Sequence, residues 1–323
     1  MPVVDLPLAE LKTYRGRNPC PSDFDEYWED ALGEMRSVDP QVELRPSSFE
    51  CGFAECFDLF FTGVRSAHIH AKYLRPAATT AQHPALLQFH GYSGNSGDWS
   101  SKLGYVAAGF SVIAMDCRGQ GGLSEDRGGT RGNSLNGHIV RGLDDSKENL
   151  LYRQIFLDTA QLASIVMAFP EVDSTRVGAM GLSQGGALTL ACAALEPRIA
   201  CLAPVYPFLS DYQRVWEMDL GGDAYKELRE HFRRFDPTHA RENEIFERLG
   251  YIDVQHLAPR IRGSVLFFTG LMDTICPPSS QFAAYNRITS PKRMVVYPDF
   301  SHESLPEEGD RSFAFMREEL GRK

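Results

Sequence analysis

The segment Gly181-Leu182-Ser183-Gln184-Gly185 constrains this chain more than any other. It follows the apolar run Val177-Gly178-Ala179-Met180 and leads into Gly186-Ala187-Leu188-Thr189-Leu190-Ala191. That order reads as a strand, a very tight turn and a helix, with a serine at the apex. Glycines on both sides let the backbone turn sharply and let strand and helix pass close together, so the Ser183 hydroxyl stands free above a sheet. A short motif of this kind also arises by chance. Its weight therefore rests on its flanks and on the rest of the chain.

The flanks supply a sheet. Short apolar runs at Ala85–Phe89, Ser111–Met115, Val177–Leu182, Ile199–Val205, Ser264–Thr269 and Arg293–Tyr297 are strand candidates. Leu103–Ala108, Asn149–Ala168 and Gly185–Leu195 between them read as helices. Strand–helix alternation predicts an α/β fold with a mainly parallel sheet covered on both faces. Phe57–Phe61 and His68–Leu74 alternate with period two and read as antiparallel strands extending one edge.

Three regions depart from this rhythm. Residues 24 to 35 place Phe24, Tyr27, Trp28, Ala31, Leu32 and Met35 on one helical stripe, after a Pro21-Ser22 start signal. An aromatic face of that kind calls for a cover, so the N-terminal helical extension, 1–40, is expected to dock on the main body. Residues 210–258 carry polar helical sequence and read as an insertion within the domain, overhanging the strand ends where ligands bind. A last helix from Asp310 to Leu320 has Phe313, Met316 and Leu320 as its expected inner stripe. The 323 residues, 1–323, are read as a single domain.

Composition excludes several classes. Asp and Glu number 43 against 33 Lys and Arg, a formal charge of −10, which shows no basic footprint for nucleic acid. No apolar run approaches the ~18 residues of a membrane span. Met1 to Lys12 lacks the basic start and apolar core of a signal peptide. Seven scattered cysteines, with Cys192 and Cys201 in apolar segments, fit reduced thiols and a cytoplasmic setting.

A serine hydroxyl needs a base to take its proton and a third group to orient that base. Asp273 follows the strand candidate Ser264–Thr269, and His302 follows Arg293–Tyr297. The order Ser183, Asp273, His302 is that of an α/β-hydrolase, with both partners on loops at the sheet's active edge. Asp299 competes with Asp273 for the acid's place. Acyl transfer also needs donors aimed at a developing oxyanion. The backbone N–H groups of Gln184, next to the serine, and of Tyr92, in Phe89-His90-Gly91-Tyr92-Ser93-Gly94, are the candidates. His90 is placed to orient that loop. Tyr92, Tyr206, Pro207 and Phe208 are candidates to wall a small acyl pocket. Arg118, in Arg118-Gly119-Gln120, is expected to pin neighbouring loops through a carboxylate. His68 and His70 share a strand face without a convincing set of further ligands, and Asp144-Asp145 has no partner motif that calls for metal. The phosphate-cradling glycine patterns are missing. The chemistry requires no metal or organic cofactor.

With these residues in view, the chain resembles the acetyl xylan esterase and cephalosporin-C deacetylase family of α/β-hydrolases (carbohydrate esterase family 7). Arg118-Gly119-Gln120, Gly181-Leu182-Ser183-Gln184-Gly185 and His302-Glu303 carry the likeness together. His90-Gly91-Tyr92, Tyr206-Pro207-Phe208-Leu209 and Asp273-Thr274-Ile275-Cys276-Pro277-Pro278 are also similar. The resemblance implies removal of acetyl groups from small substrates: acetylated xylooligosaccharides, simple acetate esters and cephalosporin C. It implies Ser183 as nucleophile, His302 as base, Asp273 as its orienter, and Tyr92 and Gln184 as oxyanion donors. Arg118, Gly119 and Gln120 would be structural support. An intracellular homo-hexamer, a trimer of dimers with inward-facing sites, is implied as well. A broad short-chain carboxylesterase or a peptidase would use the same residues. A catalytically silent interaction module would require them scattered in space.

Overall fold

The parallel strand candidates become neighbours because each is apolar on both faces and must be covered on both. In the computed structural model of the chain, residues 4–79, 81–129, 138–219 and 225–321 are described. Nine strands among them form one sheet. They are β1 (Glu43–Pro46), β2 (Ala54–Thr62), β3 (His68–Pro76), β4 (His83–Phe89), β5 (Ser111–Met115), β6 (Val172–Leu182), β7 (Cys201–Val205), β8 (Ser264–Gly270) and β9 (Lys292–Tyr297). The spatial order is β1-β2-β3-β5-β4-β6-β7-β8-β9. Pairs from β5 to β9 are parallel, while β1, β2 and β3 form the antiparallel edge expected from their alternation. The chain has the α/β-hydrolase fold.

Two boundaries differ from the sequence reading. β1 falls in the alternating stretch that begins near Val42, but it is only four residues long and all four are exposed, so no buried face sets it apart as a strand. β6 begins five residues before Val177, through the polar stretch Asp173-Ser174-Thr175-Arg176, and its register against β4 shifts between His83 and Ala85. In that first part Val172 pairs with His83, and the Asp173 carboxylate ties the rest together, accepting the Thr175 N–H at 3.0 Å, its hydroxyl at 2.6 Å and Arg176 Nε at 2.8 Å.

The helices are α1 (Leu8–Leu11), α2 (Phe24–Ser37), α3 (Leu103–Ala107), α4 (Leu151–Met167) and α5 (Gln184–Leu195). Then come α6 (Tyr212–Met218), α7 (Lys226–Phe235), α8 (Glu242–Gly250), α9 (Val254–Leu257), α10 (Pro278–Arg287) and α11 (Glu308–Gly321). Successive strand residues divide between two cores, as period two requires. Leu87, Ile113, Leu202 and Phe267 join α2, α4, α5 and α9 on one face. Leu86, Val112, Ala203 and Phe268 join α3 and α11 on the other. In α5 every residue is buried, which fits a helix that is apolar all round.

The expected stripe of α2 is buried residue for residue. Trp28 stacks on Phe156 of α4 at 6.1 Å, and its indole N–H donates to the Tyr251 carbonyl at 3.1 Å. In α11 the inner face is Ser312, Phe315, Met316 and Leu320. Phe313 is only partly buried and meets Tyr105 from the side, a correction to the expected stripe. Helices α6 to α9 lie between β7 and β8, within 210–258, of which residues 220–224 fall outside the described residues, as do 1–3 of the N-terminal segment. All seven cysteines are free. No helix among the described residues is long and apolar enough to cross a membrane.

Candidate active site

Ser183 sits where β6 hands over to α5, with φ 57° and ψ −118°. A non-glycine residue in this region costs about 1–3 kcal/mol and persists only when its surroundings fix it. Here they do. The Ser183 N–H donates to Val205 O at 2.9 Å, and its carbonyl accepts from Ala187 N and Phe208 N, each at 3.1 Å. The glycines are needed for close approach. A Cβ on Gly181 would stand 2.6 Å from the Phe89 carbonyl oxygen, and one on Gly185 would lie closer still to the same oxygen.

The loops after β8 and β9 bring Asp273 and His302 to this serine. His302 Nε2 is 3.0 Å from Ser183 Oγ, and its Nδ1 is 2.8 Å from Asp273 Oδ2. Asp273 is fully buried. Its Oδ1 accepts the N–H groups of Ile275 at 2.9 Å and Cys276 at 2.8 Å, and Gln281 Nε2 donates to Oδ2 at 3.2 Å. A carboxylate held this way asks for the imidazole proton on Nδ1, which leaves Nε2 bare towards the serine. Asp299, the rival acid, is exposed.

Asp273, Cys276 and His302 also place one possible ligand atom each within 4.8 Å of one another. The Asp273 oxygens are already engaged by four donors, so the cluster is satisfied by hydrogen bonds alone. Burial, followed by the Asp273 charge, pushes the Cys276 thiol well up, against an opposing hydrogen bond with Ser183. That thiol is neutral packing beside the nucleophile candidate.

Gln184 opens α5, so its N–H is one of the helix's unsatisfied first-turn donors. Its buried side chain is fixed from two sides: Oε1 accepts from Gln120 Nε2 and from the Tyr152 hydroxyl, both at 2.8 Å. Gln120 Oε1 in turn accepts the Ser93 N–H at 2.9 Å. One glutamine therefore ties the loop carrying Tyr92 to the helix start carrying Gln184. His90 braces the same loop. Its Nε2 accepts the Cys117 N–H at 3.0 Å, so Nδ1 carries the proton and donates to Gly91 O at 2.7 Å. Burial pushes this imidazole down and favours that neutral form. Arg118, fully buried, forks onto Asp158 at 2.7 and 2.6 Å.

The family model for acetyl xylan esterase (AXE1) matches residues 1–319. The chain belongs to the acetyl xylan esterase family. Acetyl xylan esterase 1 from Thermoanaerobacterium sp. JW/SL YS485 is 63% identical, with a TM-score of 0.97 over 98% of this chain and 100% of that one. The acetyl xylan esterase from Paenibacillus sp. R4 is 32% identical, with a TM-score of 0.93 over 97% and 100%. Acetyl esterase Axe7A of Xylanibacter ruminicola (strain ATCC 19189 / DSM 19721 / CIP 105475 / JCM 8958 / 23) is 25% identical over 93% of this chain and 67% of its own length. Membership makes the chain a carboxylic ester hydrolase and supports hydrolysis of acetate esters.

The side chains that gather beside Ser183 and His302 are aromatic. The Tyr206 ring lies 4.4 Å from that of His302, and burial pushes its phenol up to about 12. Phe208 meets Tyr92 edge-on at 5.7 Å, and Pro207 packs against the backbone at Gly186. His68 stacks on Phe60 at 4.9 Å, while His70 lies between Asp116 at 2.7 Å and Asp58 at 2.9 Å. Three buried polar partners escaped the sequence reading: Gln281 on Asp273, Asp158 on Arg118, and Glu227, whose Oε1 accepts from the Tyr92 hydroxyl at 3.1 Å. Glu227 sits in the polar run Tyr225 to Glu230, where nothing local distinguishes it from its solvent-facing neighbours.

Proposed function

We propose that the chain hydrolyses acetate esters by double displacement through an acetyl-serine intermediate. His302 Nε2 takes the proton of Ser183, and Oγ attacks the acetyl carbonyl carbon. The backbone N–H groups of Tyr92 and Gln184 hold the negative oxygen, Asp273 keeps the imidazole in the tautomer that does this, and the alcohol leaves with the proton from His302. Water, deprotonated by the same imidazole, then releases acetate and frees the serine.

One observation carries the reading: a single imidazole stands 3.0 Å from Ser183 Oγ on one side and 2.8 Å from a fully buried carboxylate on the other. The substrates proposed are small acetates, namely acetylated xylooligosaccharides, cephalosporin C and simple acetyl esters, with Tyr92, Tyr206, Pro207 and Phe208 as the walls that favour a short acyl group. Arg118, Gly119 and Gln120 act as structural support. A cytoplasmic homo-hexamer, a trimer of dimers, belongs to the same proposal and rests on the family likeness.

The test is a substrate panel with the mass in solution measured alongside. Each further methylene buried would favour a longer acyl chain by about 0.8 kcal/mol if the pocket had room. Activity falling from acetate to octanoate supports the reading. Activity rising steadily with chain length makes the protein a broad carboxylesterase instead, and preference for aminoacyl amides makes it a peptidase.

A further inference from the structure

Four donors converge on one buried carboxylate beside the loop that carries Tyr92. Glu227, on α7, is 5% exposed. The N–H groups of His138 and Ile139 reach its Oε1 at 3.1 and 2.8 Å, and that of Val140 reaches Oε2 at 3.4 Å. The fourth donor is the Tyr92 hydroxyl, which itself accepts the His138 N–H at 3.0 Å. Three distant parts of the chain thus meet at this group: α7, the backbone at 138–140, and the loop after β4.

Three of the four, the Tyr92 hydroxyl among them, meet Oε1, and Oε2 meets only the Val140 N–H. A proton on Oε1 would face those donors, and one on Oε2 would leave Oε1 an uncharged and weaker acceptor. The ionisable side chains near Glu227 are Tyr92, Tyr152 of α4, whose hydroxyl donates to Gln184, and Tyr212 of α6, whose hydroxyl donates to the Ile252 carbonyl, with the His138 ring packed on Tyr92 and Arg141 beyond, paired with Asp126. Burial pushes the Glu227 carboxyl up to about 7, against the backbone and Tyr92 hydrogen bonds.

We propose that ionised Glu227 is a positioning residue that fastens the Tyr92 loop from α7, so that the oxyanion donor is held most firmly when this carboxylate carries its charge. The inference rests on the serine-esterase reading above. Glu227 touches no reacting atom; it acts through the Tyr92 hydroxyl on the backbone N–H of the same residue. A proton on Glu227 weakens the hydrogen bond from Tyr92 and loosens the loop, and the transition state loses part of its stabilisation while substrate binding changes little.

The test is the ratio of wild-type to Glu227→Gln kcat on p-nitrophenyl acetate across pH. Gln stands in for the protonated acid, and the ratio cancels every ionisation the two enzymes share, His302 included. Because losing an oxyanion donor outright costs about 10²–10³-fold, loosening one predicts a ratio of about tenfold at about pH 8.5. The ratio should close towards one by about pH 5.5, turning over at about 7, with KM within about twofold throughout. A ratio that is the same at every pH, or equal to one at high pH, overturns the proposal. Tyr92→Phe, which keeps the N–H and cuts only the link to Glu227, guards against a misfolded E227Q. It should lose several-fold in kcat, and E227Q should add little in that background; full kcat in Y92F overturns the proposal too. Ser183→Ala, run in parallel, separates the two readings: an active S183A sinks the serine mechanism, whereas a flat ratio in a Ser183-dependent enzyme sinks only the role of Glu227.

Discussion

Ser183 Oγ and His302 Nε2 stand 3.0 Å apart across 119 residues of sequence. Their strands, β6 and β9, are separated in the sheet by β7 and β8. At ~4.8 Å per step the two strand axes lie roughly 14 Å apart, so the His302 loop has to fold back over the end of β8. It does so on Gly270. The Met272 N–H donates to Phe300 O at 2.9 Å, and a Cβ on Gly270 would meet the Ser301 carbonyl oxygen at 2.8 Å.

Gly270→Ala should therefore displace His302 without touching it. A misplacement of about 1 Å at a reacting group costs on the order of 10²-fold, so kcat is expected to fall by about 10- to 100-fold in a protein that still folds. Unchanged kcat would mean that the loop reaches Ser183 without this close crossing.

Asp273→Asn tests the acid against its neighbour. The amide removes the acceptor that fixes the His302 tautomer, and a loss of about 10³–10⁴-fold in kcat is expected. Asp299→Asn, at an exposed position, should stay within about twofold of wild type. The reverse ranking in steady-state kinetics would reassign the acid.

Much of this site was legible from order alone. The serine turn, the two loops and the strand ends that carry them follow from apolar runs and glycines, which are local signals. Asp158 and Glu227 left no such signal. The partner of Asp158 is 40 residues away and that of Glu227 is 135 away, and each acid sits in a helix whose local pattern is indifferent to it. β1 and the first part of β6 carry weak signals for a related reason: β1 is four exposed residues long, and beyond Val172 the start of β6 is polar and tied by Asp173 to Thr175 and Arg176. The swap of Phe313 for Phe315 on α11 reflects a small shift of phase that spacing alone does not set.

Breaking the Arg118–Asp158 fork leaves a buried charge with its main partner gone. Arg118→Ala should destabilise by about 3–5 kcal/mol, read by urea unfolding. Arg118→Met combined with Asp158→Leu should recover at least half of that loss. If the double variant is no more stable than the single, the fork is not the source of the cost.

Asp253 gives stability an unusual pH dependence. Burial, then the neighbouring Asp211 charge, pushes this carboxyl from 3.8 up to about 7. Between those values the folded chain holds a proton that the unfolded chain has lost, so this contribution is greatest in acid and disappears as pH rises through about 7. The Tm of wild type minus that of Asp253→Asn should accordingly shrink between about pH 4 and pH 7. A difference that widens over this range contradicts the assignment.

The central claim is that Ser183 carries the acetyl group during turnover. Acid quenching within milliseconds of mixing with p-nitrophenyl acetate, followed by peptide mass spectrometry, reads this directly. The peptide containing Ser183 should be heavier by about 42 Da, and the Ser183→Ala protein should lack both that label and the burst of nitrophenol. Acetyl carried on another residue, or S183A releasing acetate at the wild-type rate, would contradict the account.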